Sequence, residues 1–116
     1  MHNFEKLKIW QKAMDIAVAV YDVSLQLPSD EKFNLIHQIK KCAISIPSNI
    51  AEGSNRENKH FQHYLNISLG SSFELQTQLL IANQNKYITD EKLIEIENKI
   101  IEFQKMTTWF IIKLEI

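Results

Sequence analysis

The fold class of this chain is decided by the stretch TDEKLIEIENKIIEFQKMTTWFIIKL, residues Thr89–Leu114. Apolar residues and one threonine recur there at alternating spacings of three and four: Leu93, Ile96, Ile100, Phe103, Thr107, Phe110 and Leu114. That period matches one face of an α-helix. Thr89 is a capping residue, and the carboxylates after it suit the positive end of a helix dipole. The stretch predicts a helix over residues 90–115 with one buried stripe.

Turn and capping residues divide the rest of the chain into three more helices. Ser29 follows Pro28 as a cap, and Phe33 has the spacing of a hydrophobic staple with Pro28. Gly53 is expected to end the second helix in the left-handed conformation, and Ser54-x-x-Glu57 has the spacing of a capping box. Short connections make consecutive helices antiparallel neighbours. We therefore predict a single all-α domain over residues 1–116, an up-down-up-down four-helix bundle with helices at about 4–27, 30–52, 55–85 and 90–115.

The amino-acid composition argues against several other classes of protein. Two glycines and two prolines in 116 residues are too few for the turns of a many-stranded barrel or sandwich. The longest apolar run, Ile16–Tyr21, is too short for a membrane span, so no membrane partner is expected. The single cysteine, Cys42, cannot form an internal disulfide, which favours a reducing, cytoplasmic location. A net charge of -1 singles out neither nucleic acid nor an anionic membrane.

The first helix has more apolar surface than the core of one bundle needs. One stripe contains Leu7, Trp10, Met14, Ala17 and Tyr21. A second stripe, roughly 120° around the helix, contains Ile9, Ala13, Ile16, Val20, Val23 and Leu27. Trp109 and Ile112 also lie off the buried stripe of the fourth helix. We expect a homo-oligomer whose interface includes Ile9, Ile16, Val20, Val23, Trp109 and Ile112.

The second and third helices carry polar residues at core-like spacing. On the second they are Gln38, Cys42, Ser45, Asn49 and Glu52, and on the third they are Ser71, Glu74 and Gln78. Two inward-facing stripes would have to satisfy each other's hydrogen bonds. Pro47 lacks an N–H and frees a carbonyl that Asn49 could reach. The prediction is one structural polar network of Gln38, Ser45, Asn49, Glu52, Ser71, Glu74 and Gln78; the alternative is that one or both stripes are solvated.

Three segments resemble one bacterial family. QIKKCAISIPSNIAEG (Gln38–Gly53) and GSSFELQTQL (Gly70–Leu79) resemble the "four helix bundle protein" family, first described from open reading frames in intervening sequences of 23S ribosomal RNA genes. FEKLKIWQKA (Phe4–Ala13) is similar to the family's usual opening. The resemblance implies a left-handed antiparallel bundle, a ring-like homopentamer and no enzymatic activity. It also implies kinship with the accessory variability protein of diversity-generating retroelements, a pentamer that binds a reverse transcriptase and nucleic acid.

Two short motifs raise enzymatic alternatives. Glu57-x-x-His60, with His63 one turn on, has the spacing found in di-iron bundles. The second Glu-x-x-His motif that such sites need does not occur in this sequence, so no metal or cofactor is predicted. Arg56 and His63 have a spacing that resembles that of HEPN-type ribonucleases, in which arginine holds a phosphate and histidine moves a proton. A HEPN-like endoribonuclease using Arg56 and His63 is therefore the alternative function.

The candidates for contact with nucleic acid are basic side chains on the first three helices: Lys6, Lys8, Lys12, Lys40, Lys41, Arg56 and Lys59. Phosphate contacts are additive through counterion release, so a ring of copies would strengthen a weak patch. The predicted function is a non-catalytic, homo-oligomeric helical scaffold that works with RNA, DNA or a nucleic-acid-processing protein. A structural protein with no nucleic-acid role is the third alternative.

Overall fold

The computed structural model describes residues 2–116; Met1, the first residue of the predicted domain, lies outside them. The described residues form four α-helices: α1 (Lys8–Val23), α2 (Leu35–Ser54), α3 (Asn58–Gln84) and α4 (Asp90–Lys113). Short 3-10 helices span Phe4–Lys6, Ser24–Gln26 and Ser29–Glu31. Residues 2–116 include no strand, so the all-α prediction is confirmed. Over the same residues, no helix is long and apolar enough to cross a membrane.

The helices surround one core in chain order. Each helix packs on the next, and α1 also packs on α4, as in a four-helix bundle. The α1–α2 side therefore lies opposite the α3–α4 side. The largest fully buried side chains include Phe61 and Phe103. The up-down-up-down direction and the left-handed twist stay predictions.

One of the two apolar stripes of α1 is buried in the core of the bundle. Ile9, Ile16, Val20 and Val23 are between 0% and 3% exposed, so their assignment to an oligomer interface is wrong. The other stripe lies at the edge of the core: Ala17 is buried, Leu7 and Trp10 are half-buried, and Met14 and Tyr21 are exposed. Both stripes have the helical period, and packing against α2 and α4 decides which one is buried. Trp109 and Ile112 are exposed.

Helix α2 begins five residues later than predicted. Glu31 Oε1 accepts from Leu35 N at 3.4 Å, which caps a helix starting at Leu35, while Ser29–Glu31 forms a 3-10 turn. Phe33 consequently lies in the turn before α2 and is 84% exposed, so the expected staple with Pro28 does not form. The first predicted helix is also shorter, because Leu7 is extended and α1 ends at Val23.

The α2–α3 junction differs from its prediction, whereas the start of α4 agrees with it. Ser54 ends α2 and donates to Ala51 O at 2.7 Å, so it forms no capping box with Glu57. Neither described glycine has a positive φ; Gly53 is helical and instead allows close approach of Tyr64, whose Cβ would lie 2.7 Å from an added Cβ. Thr89 Oγ1 accepts from Lys92 N at 3.2 Å and caps α4 as predicted.

Candidate functional site

A hydrogen-bonded seam joins α2 to α3. Ser45 Oγ and Ser71 Oγ lie 2.8 Å apart, and Asn49 Nδ2 donates to the carbonyl (2.8 Å) and the hydroxyl (2.9 Å) of Ser45. Ser68 Oγ donates to Ile46 O at 2.8 Å. These bonds surround Pro47, where the backbone has no N–H to donate. The structure therefore brings together three residues of the predicted network: Ser45, Asn49 and Ser71.

Cys42 lies further along the same seam, against Glu74 and Gln78. The pKa of the thiol is raised from 9.0 to about 11, chiefly by burial and further by hydrogen bonding to, and repulsion from, the Glu74 carboxylate. Gln78 Nε2 lies 3.5 Å from Glu74 Oε2, while Gln78 Oε1 is buried with no hydrogen-bond partner among the described residues. A thiol with this pKa is protonated at neutral pH, so Cys42 acts as a packing group and not as a nucleophile.

Two residues of the predicted network lie outside the seam. Gln38 is exposed near the start of α2. Glu52 accepts from Arg56 Nη2 at 2.7 Å, in an exposed pair one helical turn apart. Their inclusion in the network is wrong, because the α2 stripe turns outward at both ends. Glu74 touches the seam but is itself exposed.

The predicted basic residues do not form one surface. Lys40 Nζ lies 4.8 Å from the ring centre of Tyr21, near the end of α1, whereas Lys8 begins that helix, about 20 Å away at 1.5 Å per residue. Lys12 Nζ pairs with Glu102 Oε1 at 3.1 Å, and Arg56 pairs with Glu52. Lys6, Lys41 and Lys59 are exposed. Of the seven, Lys40 and Lys41 share a concave surface.

That surface, the basic groove, runs between α1 and α2 and has a volume of about 490 Å³. Its lining comprises Tyr21, Lys32, Phe33, Ile36, His37, Lys40, Lys41 and Ile44. Within residues 2–116, no carboxylate belongs to that lining. Lys32 Nζ lies over the Phe33 ring, 5.4 Å from its centre, so Phe33 and Tyr21 each have a lysine ammonium over one face of the ring.

Of the eight residues that line this groove, sequence reasoning predicted only Lys40 and Lys41 as binding residues. A signal is present in the turn before α2 and along that helix, where Phe33, His37, Lys40 or Lys41, and Ile44 recur every three to four residues. The signal was missed because the sequence analysis assigned Phe33 to a hydrophobic staple with Pro28. Tyr21 comes from α1, and no spacing within α2 could have added it.

The opposite side of the bundle carries an outer apolar face. Gln76 Nε2 donates to Glu97 Oε2 at 2.9 Å, and Gln104 Nε2 donates to Gln76 Oε1 at 3.0 Å, which ties α3 to α4. On each helix, the residues three positions before and four positions after Gln76 or Glu97 lie on the same face as the bonded side chain. They are Phe73, Leu80, Ile94 and Ile101, and the α4 stripe continues to Trp109 and Ile112. Phe73, Ile94 and Ile112 are 55%, 56% and 65% exposed.

The residues of the ribonuclease alternative lie on either side of one tyrosine. The Arg56 guanidinium is 5.2 Å from the ring centre of Tyr64, and the His63 ring is 5.7 Å from it. Arg56 is already paired with Glu52, so a phosphate would compete with that carboxylate. Between residues 2 and 116, no group of three or more His, Cys, Asp or Glu side chains could hold a metal ion.

Comparison with known proteins gives the family. The family model described as 23S rRNA-intervening sequence protein matches residues 5–108, nearly the whole chain. The chain belongs to that family. The matched residues, 5–108, contain both the seam and the basic groove, and the match ends just before Trp109. The resemblance drawn from Gln38–Gly53 and Gly70–Leu79 is thereby confirmed.

A solved structure shares the fold. It is a protein of unknown function from the S23 ribosomal protein family of Bacteroides thetaiotaomicron, with 28% sequence identity and a TM-score of 0.82. The similarity covers 89% of this chain and 97% of that one. Among curated proteins, none matches this chain. The family and the related structure therefore establish kinship and fold, and assign no activity.

Proposed function

We propose that this protein is a non-catalytic helical scaffold that assembles with copies of itself and works with an RNA, a DNA or a nucleic-acid-processing protein. The family resemblance implies a ring of five subunits. The observation that carries the proposal is the outer apolar face on α3 and α4. A cytoplasmic location is part of the proposal, and the unpaired, buried thiol of Cys42 supports it.

The outer apolar face has the properties of a contact surface between subunits. Phe73, Ile94 and Ile112 are more than half exposed, and burying each in an interface would contribute about 1.5–3 kcal/mol. Exposed apolar side chains that recur along one helix face in this way are typical of an interaction surface. The amide of Gln76 and the carboxylate of Glu97, at the centre of this face, bond to each other, which satisfies one N–H and one carboxylate oxygen. The second N–H of Gln76 and Glu97 Oε1 need partners from the covering subunit.

The state of the reactive side chains supports a non-catalytic role. Burial and the Glu74 carboxylate keep the Cys42 thiol protonated. Arg56, which the ribonuclease alternative needs for phosphate, is bound to Glu52 at 2.7 Å. Incubation with RNA is therefore expected to leave the RNA intact. Cleavage by the unmodified protein that disappears in His63→Ala would overturn the non-catalytic part of the proposal.

Sedimentation velocity on three variants tests the assembly surface. Ile94→Ser and Phe73→Ser should shift the protein towards the monomer, because each removes apolar area from the outer apolar face. The matched control is Phe33→Ser, a still more exposed phenylalanine on the opposite side of the bundle, which should sediment like the unmodified chain. Assembly that survives both outer-face substitutions would overturn the proposed surface.

A further inference from the structure

We infer that the basic groove between α1 and α2 binds single-stranded nucleic acid, with its lysines on the phosphates and its exposed rings stacked on bases. The inference rests on the proposed function in taking nucleic acid as the partner. It specifies that the nucleic acid is single-stranded and that the basic groove is the binding site. It also adds side chains that contact bases, whereas the basic residues predicted from sequence contact only phosphates.

The charge of the groove differs from that of the whole chain. The chain has a net charge of -1, yet Lys32, Lys40 and Lys41 line the groove, and no carboxylate of residues 2–116 does. Glu31 is next to Lys32 in sequence but faces elsewhere: its Oε1 accepts from Leu35 N at 3.4 Å and its Oε2 from Tyr87 Oη at 3.2 Å. The groove is therefore a local positive surface that suits a phosphate backbone.

The two exposed aromatic rings of the groove indicate that the ligand has bases that can stack on them. Phe33 is 84% exposed and Tyr21 is 44% exposed, and both line the same groove. Each ring has a lysine ammonium over one face, within 5.4 Å of its centre. A base would displace that ammonium or stack on the opposite face, and in either case its phosphate would lie close to the cation. Positive grooves with exposed aromatic rings are typical of proteins that bind single strands. Duplex bases are already stacked on each other and cannot reach the rings.

The place of the groove in the bundle is compatible with assembly. It lies on the α1–α2 side, whereas the outer apolar face lies on the α3–α4 side. In a ring of five, each contact joins the outer apolar face of one copy to a different surface of the next copy. The groove is repeated in every copy and stays open if that second surface lies away from the α1–α2 side. Copies that hold one strand together would bind it more tightly than one copy does.

Fluorescence anisotropy with a labelled oligouridine of about 12 nucleotides tests the inference, since single-strand sites span roughly 4–16 nucleotides. Duplex RNA of the same length and a polyglutamate peptide serve as competitors. Phe33→Leu is expected to lower affinity about 5-fold or more, and Phe33→Trp to retain it, because only the tryptophan keeps a ring for stacking. Both variants should keep the melting temperature, since Phe33 is almost fully exposed.

Salt dependence separates the phosphate contacts from the stacking. Three lysines predict a slope of about -2 in a plot of log affinity against log salt concentration, at about -0.7 for each phosphate contact on a single strand. Lys41→Ala should make that slope shallower by about 0.7, and Phe33→Leu should leave it unchanged. Lys105→Ala, an exposed lysine on α4, is the control and should match the unmodified protein.

Several results would overturn the inference: equal affinity of Phe33→Leu and the unmodified protein, stronger competition by duplex than by single strand, or displacement by the acidic peptide at lower concentration than by oligouridine. The sedimentation state of the same samples separates this inference from the proposed scaffold. If monomers bind oligouridine with the expected variant effects, binding in the groove is supported and the proposed scaffold is refuted. If oligomers form but bind no oligouridine, binding in the groove is refuted and the proposed assembly of the scaffold is supported.

Discussion

The hydroxyl of Ser45 lies 2.8 Å from the hydroxyl of Ser71, and this bond joins α2 to α3 beside Pro47. Asn49 completes the arrangement by donating to both the hydroxyl and the carbonyl of Ser45. All three side chains are half-buried, so a partner lost from this seam is not fully replaced by water.

Substitution of the seam residues should therefore destabilise the protein. We expect Asn49→Ala and Ser71→Ala to lower the free energy of unfolding by about 1–3 kcal/mol, measured by urea denaturation. Ser48→Ala, an exposed serine of the same helix, is the control and should change it by less than about 0.5 kcal/mol.

Glu74→Ala should behave like the control, although the sequence pattern grouped Glu74 with Asn49. Glu74 is exposed, and the bond it accepts from Gln78 is long, at 3.5 Å. The expected loss in urea denaturation is below about 0.5 kcal/mol. A loss as large as that of Asn49→Ala would show that the carboxylate belongs to the seam.

The two glycines should respond to alanine in opposite directions. A Cβ at Gly53 would lie 2.7 Å from Tyr64 Cβ and 2.9 Å from Phe61 Cδ1, so Gly53→Ala is expected to cost about 1–3 kcal/mol. A Cβ at Gly70 would meet nothing within 4 Å, and Gly70→Ala in the middle of α3 should stabilise by about 0.5–1 kcal/mol. Thermal unfolding of both variants checks the signs, and equal signs would contradict the packing described for Gly53.

Cys42 should react slowly with iodoacetamide in the folded protein. The rise in pKa from 9.0 to about 11 lowers the thiolate fraction at pH 8 about 100-fold. The matched control is the same protein in urea, where the thiol has its ordinary pKa. Equal rates in the two states would contradict a buried, protonated thiol.

The same thiol predicts a loss of stability at high pH. Because the pKa in the folded state exceeds the unfolded value of 9.0, its contribution is fully present below pH 9 and is lost as the pH rises through about 11. Between these pH values, the stability of the unmodified protein should fall relative to that of Cys42→Ala. Parallel curves of unfolding free energy against pH for the two proteins would contradict the raised pKa of Cys42.

Helical periodicity was enough to predict the number and type of elements, but not which face of α1 is buried. The two stripes of α1 share one period, and the side that packs on α2 and α4 is settled by tertiary contacts. Capping signals were similarly ambiguous. Thr89 caps α4, whereas Ser54 is used inside the last turn of α2, because that helix continues past Gly53.

The seam and the groove were predictable to different extents. Ser45, Asn49 and Ser71 lie at regular spacings on two helices, so the pattern located them. The basic groove combines Tyr21 of α1 with Phe33 from a turn and lysines of α2. That combination depends on α2 beginning at Leu35, after a 3-10 turn over Ser29–Glu31 that the capping residues did not predict.

Light scattering of the purified protein, with and without mixed RNA, tests the scaffold most directly. The proposal predicts a molar mass about five times the 13.6 kDa of one chain at micromolar concentration, and a further rise when RNA is added. The mass of a single chain over the whole concentration range, unchanged by RNA, would contradict it.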